Sequence, residues 1–113
     1  MKVTIYHNPR CAKSRQTLDL LIQRGLEPQI VEYLKTPPTP TEIKRLLGLL
    51  GLKPRQLLRA KEAAETGLAD PTLSEATLIA GMAANPIVIE RPIVVAGDKA
   101  ALGRPPEAVL KIL

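Results

Sequence analysis

The segment Lys2-Val3-Thr4-Ile5-Tyr6-His7-Asn8-Pro9-Arg10-Cys11-Ala12-Lys13-Ser14-Arg15 changes its backbone period part-way along. Lys2 to Tyr6 is a short β-branched run that ends at Asn8-Pro9, the pattern of a strand entering a turn. Beyond the turn Leu18, Leu21 and Ile22 recur at i, i+3 and i+4, the period of an amphipathic helix, and Gly25 stands where a C-terminal cap belongs. Gln29 to Leu34 is apolar and β-branched again and reads as a second strand. Strand, helix and strand in this order predict a parallel strand pair joined by a right-handed crossover.

Outward from that unit, Thr36-Pro37-Pro38-Thr39-Pro40 reads as a stiff connector inside one domain spanning residues 1–113. Thr39-Pro40-Thr41-Glu42 fits a capping box with proline at the first helical position, opening a helix through Leu46, Leu47 and Leu50 to Gly51. Lys53 to Arg59 reads as a short helix. Thr72-Leu73-Ser74-Glu75 is a second capping box, and Asn85-Pro86 ends the helix it opens. Pro92 to Val95 reads as a buried strand, Ala100 to Leu102 as a short strand after the Gly97-Asp98 turn, and Arg104-Pro105-Pro106-Glu107 as the start of a last helix carrying Val109, Leu110 and Leu113. The order β-α-β, helices, β-β-α predicts an α/β layer architecture with a mixed sheet.

Composition narrows the function classes. The chain has 113 residues, 45% of them hydrophobic and 24% charged, enough apolar side chains for a core and too few residues for two ordinary domains. With two tyrosines and no Phe or Trp, that core is aliphatic. One cysteine cannot close an intramolecular disulfide, so the fold does not depend on an oxidising compartment. No apolar stretch approaches the length of a signal peptide or a membrane span, and the expected setting is the cytoplasm, with no membrane partner. The net charge of +5 points to an anionic partner. Nucleic acid is disfavoured, because the basic residues are scattered and two tyrosines cannot supply stacking platforms. A small oxyanion fits better, since guanidinium groups match planar, bidentate oxygens. A one-domain chain with scattered surface charge is expected to be a monomer.

Cys11 lies where the first strand hands over to the first helix, the end of an α/β sheet at which ligands bind. A helix N-terminus presents unpaired N–H groups and partial positive charge. His7, Arg10, Lys13 and Arg15 surround the cysteine, and no acid occurs between residues 3 and 18. Such settings favour the thiolate over the thiol. The alternative is a buried structural cysteine, but those lie in apolar runs and this one has polar neighbours. For His7, the only histidine, two readings stand open: orienting or exchanging protons with Cys11, or ending the strand. Arg15 shares the helix face of Cys11 one turn on. One Cys and one His cannot build a structural zinc site, so no metal is expected. Cys11-Ala12-Lys13-Ser14 is a C-x-x-S pattern, a redox motif without its second thiol. Any disulfide chemistry must then borrow an external thiol, of which glutathione is the abundant cytoplasmic example. Arg59, Arg91 and Arg104 each read alone as surface charges, and Arg91-Pro92 is a candidate cis peptide.

Taken together, His7-Asn8-Pro9-Arg10-Cys11-Ala12-Lys13-Ser14-Arg15, Leu57-Leu58-Arg59, Glu90-Arg91-Pro92-Ile93-Val94-Val95 and Gly103-Arg104-Pro105-Pro106-Glu107 resemble the glutathione/glutaredoxin-coupled arsenate reductase family. The resemblance spans nearly the whole chain. It implies a thioredoxin-like fold with a helical insertion between the second and third strands, and Pro92 as the cis-proline facing the cysteine. It implies Cys11 as nucleophile, His7 as the group influencing its ionisation, Ser14 and Arg15 as helix-start residues near the thiolate, and Arg59, Arg91 and Arg104 as the arginines holding the oxyanion. It also implies arsenate as substrate, glutathione as co-substrate, glutaredoxin as partner and no bound cofactor. Where members with strong arsenate activity carry Gly-Thr, this chain has Ala12-Lys13, and it stops at Leu113 without their longer tail; it resembles the short housekeeping branch. Two other functions stand beside this one: a monothiol, deglutathionylating thiol–disulfide oxidoreductase, and a redox regulator that binds RNA polymerase. The arginine set counts against the first, and Ser14 in place of a second cysteine counts against the second.

Overall fold

The structure, a computed structural model, describes residues 2–113 and forms two compact units. The first joins the residues up to Thr36 with Arg91–Leu113; the second is Pro37–Glu90.

In the first unit, β1 (Val3–Tyr6), α1 (Ala12–Gln23) and β2 (Gln29–Val31) are followed, after the second unit, by β3 (Ile93–Ala96), β4 (Lys99–Leu102) and a 3-10 helix over Pro106–Ile112. The sheet order is β2-β1-β3-β4. β1 and β2 are parallel, with Ile5 opposite Ile30, and β3 runs antiparallel to both β1 and β4. β3 is central and buried at all four positions, which is why its sequence is a continuous apolar run without alternation. Gly97 and Asp98 join β3 to β4, and the positive φ of 62° falls only at the first of them, the sign pattern of a type II′ hairpin turn. Val3, Ile5, Val94 and Ala96 from one sheet face pack with Leu21 of α1 and Val109 of the last helix. Each fully buried aliphatic side chain here contributes about 1.5–3 kcal/mol. This mixed sheet, with helices inserted between β2 and β3, is the thioredoxin-like α/β arrangement that the resemblance implies.

The structure corrects the expected face of α1. Ile22 is 54% exposed, and the buried stripe is Ser14, Thr17 and Leu21. A polar half-face is tolerated because its groups are satisfied: the Thr17 hydroxyl donates to the Lys13 carbonyl at 2.8 Å. The reason lies across from it. Gly103 approaches so closely that a Cβ there would overlap the Thr17 side chain and meet Pro92 Cγ at 2.7 Å. β2 is also shorter than expected. The chain turns at Glu32, whose carbonyl accepts from Lys35 N–H at 2.9 Å, so Leu34 lies outside the strand. The last helix is 3-10 rather than α.

In the second unit, α2 (Pro40–Leu50) starts as its sequence predicts. The Thr39 hydroxyl accepts from Glu42 N–H at 3.1 Å, Pro40 is the first helical residue, and Gly51 ends the helix with φ 68°. α4 (Glu75–Ala84) starts two residues later than expected. Ser74, not Thr72, accepts from Thr77 N–H, because Thr72 is held by the Asp70 carboxylate. α3 (Ala60–Glu65) has no counterpart in the sequence reading, and Pro54–Leu57 is a single 3-10 turn. Arg59 N–H donates to the Val88 carbonyl and Glu90 N–H to the Leu57 carbonyl, both at 2.8 Å. These bonds bring the two arms of the unit together around a core that includes Ile43, Leu46, Leu57, Leu78, Met82 and Val88. Among the described residues no helix is long and apolar enough to cross a membrane.

Two glycine substitutions should move stability in opposite directions. Gly103→Ala forces Thr17 and Pro92 apart and is expected to cost about 1–3 kcal/mol in a chemical denaturation series. Gly48→Ala, on an exposed α2 position with open space around it, should gain about 0.5–1 kcal/mol. A neutral Gly103→Ala would show that the close approach is not tight.

Candidate functional site

Between β1 and α1 the chain reverses through His7-Asn8-Pro9-Arg10-Cys11. Strand pairing carries past β1, since His7 N–H donates to the Val31 carbonyl at 2.8 Å. The Asn8 side chain then accepts from Arg10 N–H at 3.0 Å, and its backbone carbonyl accepts from Cys11 N–H at 3.0 Å. An asparagine bonding the backbone two residues on is the normal start of such a turn. Cys11 becomes the N-cap of α1, with φ −93° and ψ 122°.

The first helical turn is anchored by Ser14, whose residue surface is fully buried. Its hydroxyl oxygen accepts from Asn8 N–H at 3.0 Å and lies 2.6 Å from His7 Nδ1. The buried Ser14 hydroxyl has no other acceptor among the described residues, so its proton is satisfied only by pointing at Nδ1, the assignment that leaves Nε2 protonated on a neutral ring. Burial holds the His7 pKa below its ordinary value, and Arg15 adds to that effect while Glu32 opposes it. Arg15 leaves its Nη1 on the Pro9 carbonyl at 2.8 Å, tying α1 back over the turn.

Cys11 is only partly buried. Burial alone would raise its pKa, but the Ser14 N–H, the Arg91 guanidinium and the Lys13 N–H together bring it below the ordinary thiol value. Arg104 Nη2 approaches Cys11 Sγ at 3.6 Å, and Arg104 Nε donates to the Arg91 carbonyl at 2.7 Å. Arg91 is itself buried, at the start of β3, beside a cis Arg91–Pro92 peptide; Arg104–Pro105 is cis as well. The arrangement places the sulfur, its thiolate form favoured, beside two guanidinium groups and two backbone N–H donors.

The first unit therefore gathers Cys11, His7, Ser14, Arg15, Arg91, Pro92 and Arg104 around one helix start. Arg59 lies in the second unit, where its side chain is ion-paired with Glu90 at 2.8 Å and Glu62 at 3.2 Å. Those carboxylates outweigh burial and raise its pKa further. The sequence reading assigned the thiolate's support to the helix start and to the neighbouring His7, Arg10, Lys13 and Arg15. The structure keeps the helix start, through the Ser14 and Lys13 N–H groups, puts Arg91 in place of the neighbouring cations, and makes His7 neutral. Asn8-Pro9 was read as the turn, but the Asn8 side chain was not counted among the site residues; the structure puts it on Arg10 N–H.

Comparison with known proteins supplies the family. A model of the ArsC family matches residues 6–112. The uncharacterized protein YfgD of Escherichia coli strain K12 is 53% identical, the alignment covering 99% of this chain and 97% of that one. An arsenate reductase of Rhizobium meliloti is 48% identical over 100% of this chain and 82% of its own. A solved structure, the arsenate reductase from Vibrio cholerae, superposes with a TM-score of 0.96 at 51% identity, covering 100% of this chain and 98% of that one.

Two stability measurements check the site. The folded state favours ionised sulfur, so between the lowered Cys11 pKa and its unfolded value the unfolded chain binds more protons. Wild type should accordingly gain stability over Cys11→Ser as pH rises through that interval, hold the gain above it, and lose it below. A flat difference would mean the thiol is unperturbed. Ser14→Ala leaves Asn8 N–H and His7 Nδ1 without their partner and should cost about 1–3 kcal/mol in thermal denaturation.

Proposed function

Because the chain belongs to the ArsC family, we propose that it reduces arsenate to arsenite, with Cys11 as the attacking thiolate and glutathione and glutaredoxin as the external thiols. One observation carries the reading: the Arg104 guanidinium stands 3.6 Å from Cys11 Sγ, braced through the Arg91 carbonyl. Arsenate is an anion near neutral pH, and a thiolate approaching it is repelled. Two guanidinium groups and a helix start offset that repulsion where the charge develops. A disulfide substrate carries no such charge, so the same cations favour an oxyanion over simple thiol exchange.

The chemistry balances with one protein thiol and one external thiol. Cys11 sulfur bonds to arsenic and an oxygen leaves as hydroxide or water. The glutathione thiol adds to arsenic in the same way, giving a Cys11–S–As–S–glutathione species. The two sulfurs then join, and arsenic departs with the electron pair, reduced from the +5 to the +3 state. Glutaredoxin takes the glutathione half of the resulting disulfide and returns Cys11 as a thiolate. The chain has a single cysteine, so no internal thiol can perform that last step. Both external thiols belong to a reducing compartment, which makes the cytoplasm the proposed setting. Neutral His7 acts here through Ser14, holding the first turn of α1 under the sulfur.

The test is an arsenate-reduction assay with glutathione and glutaredoxin. Cys11→Ser should abolish turnover, and surviving turnover would remove Cys11 as nucleophile. Arg104→Ala loses one charge-assisted contact and should lower kcat/KM for arsenate about ten- to a hundredfold. Release of glutathione from a mixed-disulfide substrate, assayed without arsenate, should respond much less to Arg104→Ala. The opposite pattern would favour the thiol–disulfide oxidoreductase reading.

A further inference from the structure

Alongside the start of α1, within the first unit, is an open cavity of about 460 Å³ whose walls include His7, Pro9, Ala12, Arg15, Leu18 and Asp19. That volume is in the range of small-molecule sites. The oxyanion chemistry above does not use it.

Three side chains define what it can hold. Arg15 has only Nη1 engaged, on the Pro9 carbonyl, and its remaining N–H groups take no partner among the described residues. Asp19, one helical turn further along α1, has neither an ion pair nor a hydrogen bond on its carboxylate among the described residues. His7 is 6% exposed. Its Nδ1 is occupied by Ser14, and Nε2 has no partner among the described residues, so the edge left over is the one lining the cavity. A cation and an N–H donor, with an anion one helical turn away, stand over an apolar surface of Pro9, Ala12 and Leu18. A bare oxyanion would be repelled by Asp19, and a purely apolar ligand would leave both charges unused. The set matches a small molecule that carries a carboxylate and an ammonium group on one short chain.

We infer that this cavity binds the body of the external thiol, a small cysteine-containing peptide of the glutathione class, with a carboxylate on Arg15 and His7 Nε2 and the α-ammonium on Asp19. The inference rests on the arsenate-reductase reading, which requires a thiol from outside because Cys11 is the only one in the chain. Ala12 of the cavity wall is the chain neighbour of Cys11, whereas Arg91 and Arg104 reach the sulfur from the ends of β3 and β4. Oxyanion and thiol peptide are thereby assigned to different elements, the first to the ends of β3 and β4 and the second to the start of α1 next to Cys11 in the chain.

S-methylglutathione, which cannot react, tests this by NMR titration of the full chain. The expected result is that amide shifts cluster at Ala12, Arg15, Gln16 and Asp19. Asp19→Asn should weaken S-methylglutathione about fivefold and leave arsenate binding, titrated separately, unchanged. The N-acetyl derivative, which has lost the ammonium, should bind wild type about fivefold more weakly than S-methylglutathione does and show no such loss in Asp19→Asn. Shifts confined to another surface, no binding, wild-type affinity in Asp19→Asn, or indifference to acetylation would overturn the assignment. The titration involves no arsenic. A chain that binds S-methylglutathione on this wall but reduces no arsenate keeps the cavity assignment and loses the arsenate reading. A chain that reduces arsenate with glutathione but binds S-methylglutathione elsewhere does the reverse.

Discussion

Much of the site hangs on a hydroxyl. Ser14 is fully buried, and so nearly are His7 and Asn8. Buried polar groups must find partners, since each one left bare costs about 1–3 kcal/mol. These three find one another: Asn8 N–H and His7 Nδ1 both meet the Ser14 hydroxyl. The two ends of the turn between β1 and α1 are thus tied by the same economy that seals a core. Cys11 sits inside that tie as the N-cap of α1, so its position follows from burial rather than from any contact the sulfur itself makes. The N–H groups of Lys13 and Ser14 are then held at the sulfur without further adjustment.

The same tie decides where positive charge comes from. An imidazolium at position 7 would have to be desolvated, and burial turns the equilibrium toward the neutral ring. The sulfur is instead supported by groups that cannot lose their charge or dipole near neutral pH: two backbone N–H donors and a guanidinium. Arg104 adds a second guanidinium, braced by the Arg91 carbonyl at 2.7 Å. Its reach to Cys11 spans 93 positions of sequence, which explains why the strand after the insertion matters as much as the turn before it. Gly103 belongs to this arrangement. With no side chain it lets the chain pass between Thr17 and Pro92, and its N–H donates to the Pro92 carbonyl at 2.9 Å just before Arg104 turns toward the sulfur.

What could be read from the sequence divides along range. Local signals read true where the deciding groups are neighbours: Thr39, Pro40 and Gly51 bound α2 as their chemistry requires, and the β-branched runs became β1 and β3. They failed where a distant element intervened. The α1 face was read from Leu18, Leu21 and Ile22, but Gly103 and Pro92 lie against Thr17, so a polar stripe is buried and Ile22 is left outside. Thr72 failed for a local reason instead: Asp70, two residues earlier, takes its hydroxyl and leaves Ser74 to do the capping. At the site, the lowered thiol pKa was legible in sign. Of its causes the helix start was legible as well, since the strand-to-helix junction marks it, but Arg91 was not, because it is eighty positions away from Cys11 by numbering. The arginines themselves were visible only through the family resemblance, since no spacing rule singles out Arg91 or Arg104.

Ser14 also bears on the proposed use of an external thiol. In a C-x-x-C motif the second position supplies the resolving sulfur, and that sulfur must be able to swing toward the first. Here position 14 is closed to that role by its surroundings as well as by its chemistry. Its side chain faces inward, takes Asn8 N–H and meets His7 Nδ1, and turning it toward Cys11 would leave both of those groups bare in the interior. The structural use of the hydroxyl and the catalytic use of a second thiol are therefore mutually exclusive at this position. Burying the Ser14 hydroxyl therefore agrees with the proposal that the second thiol comes from solution, and the Arg15 guanidinium edge and Asp19 carboxylate, unpaired among the described residues, are where that proposal seats it.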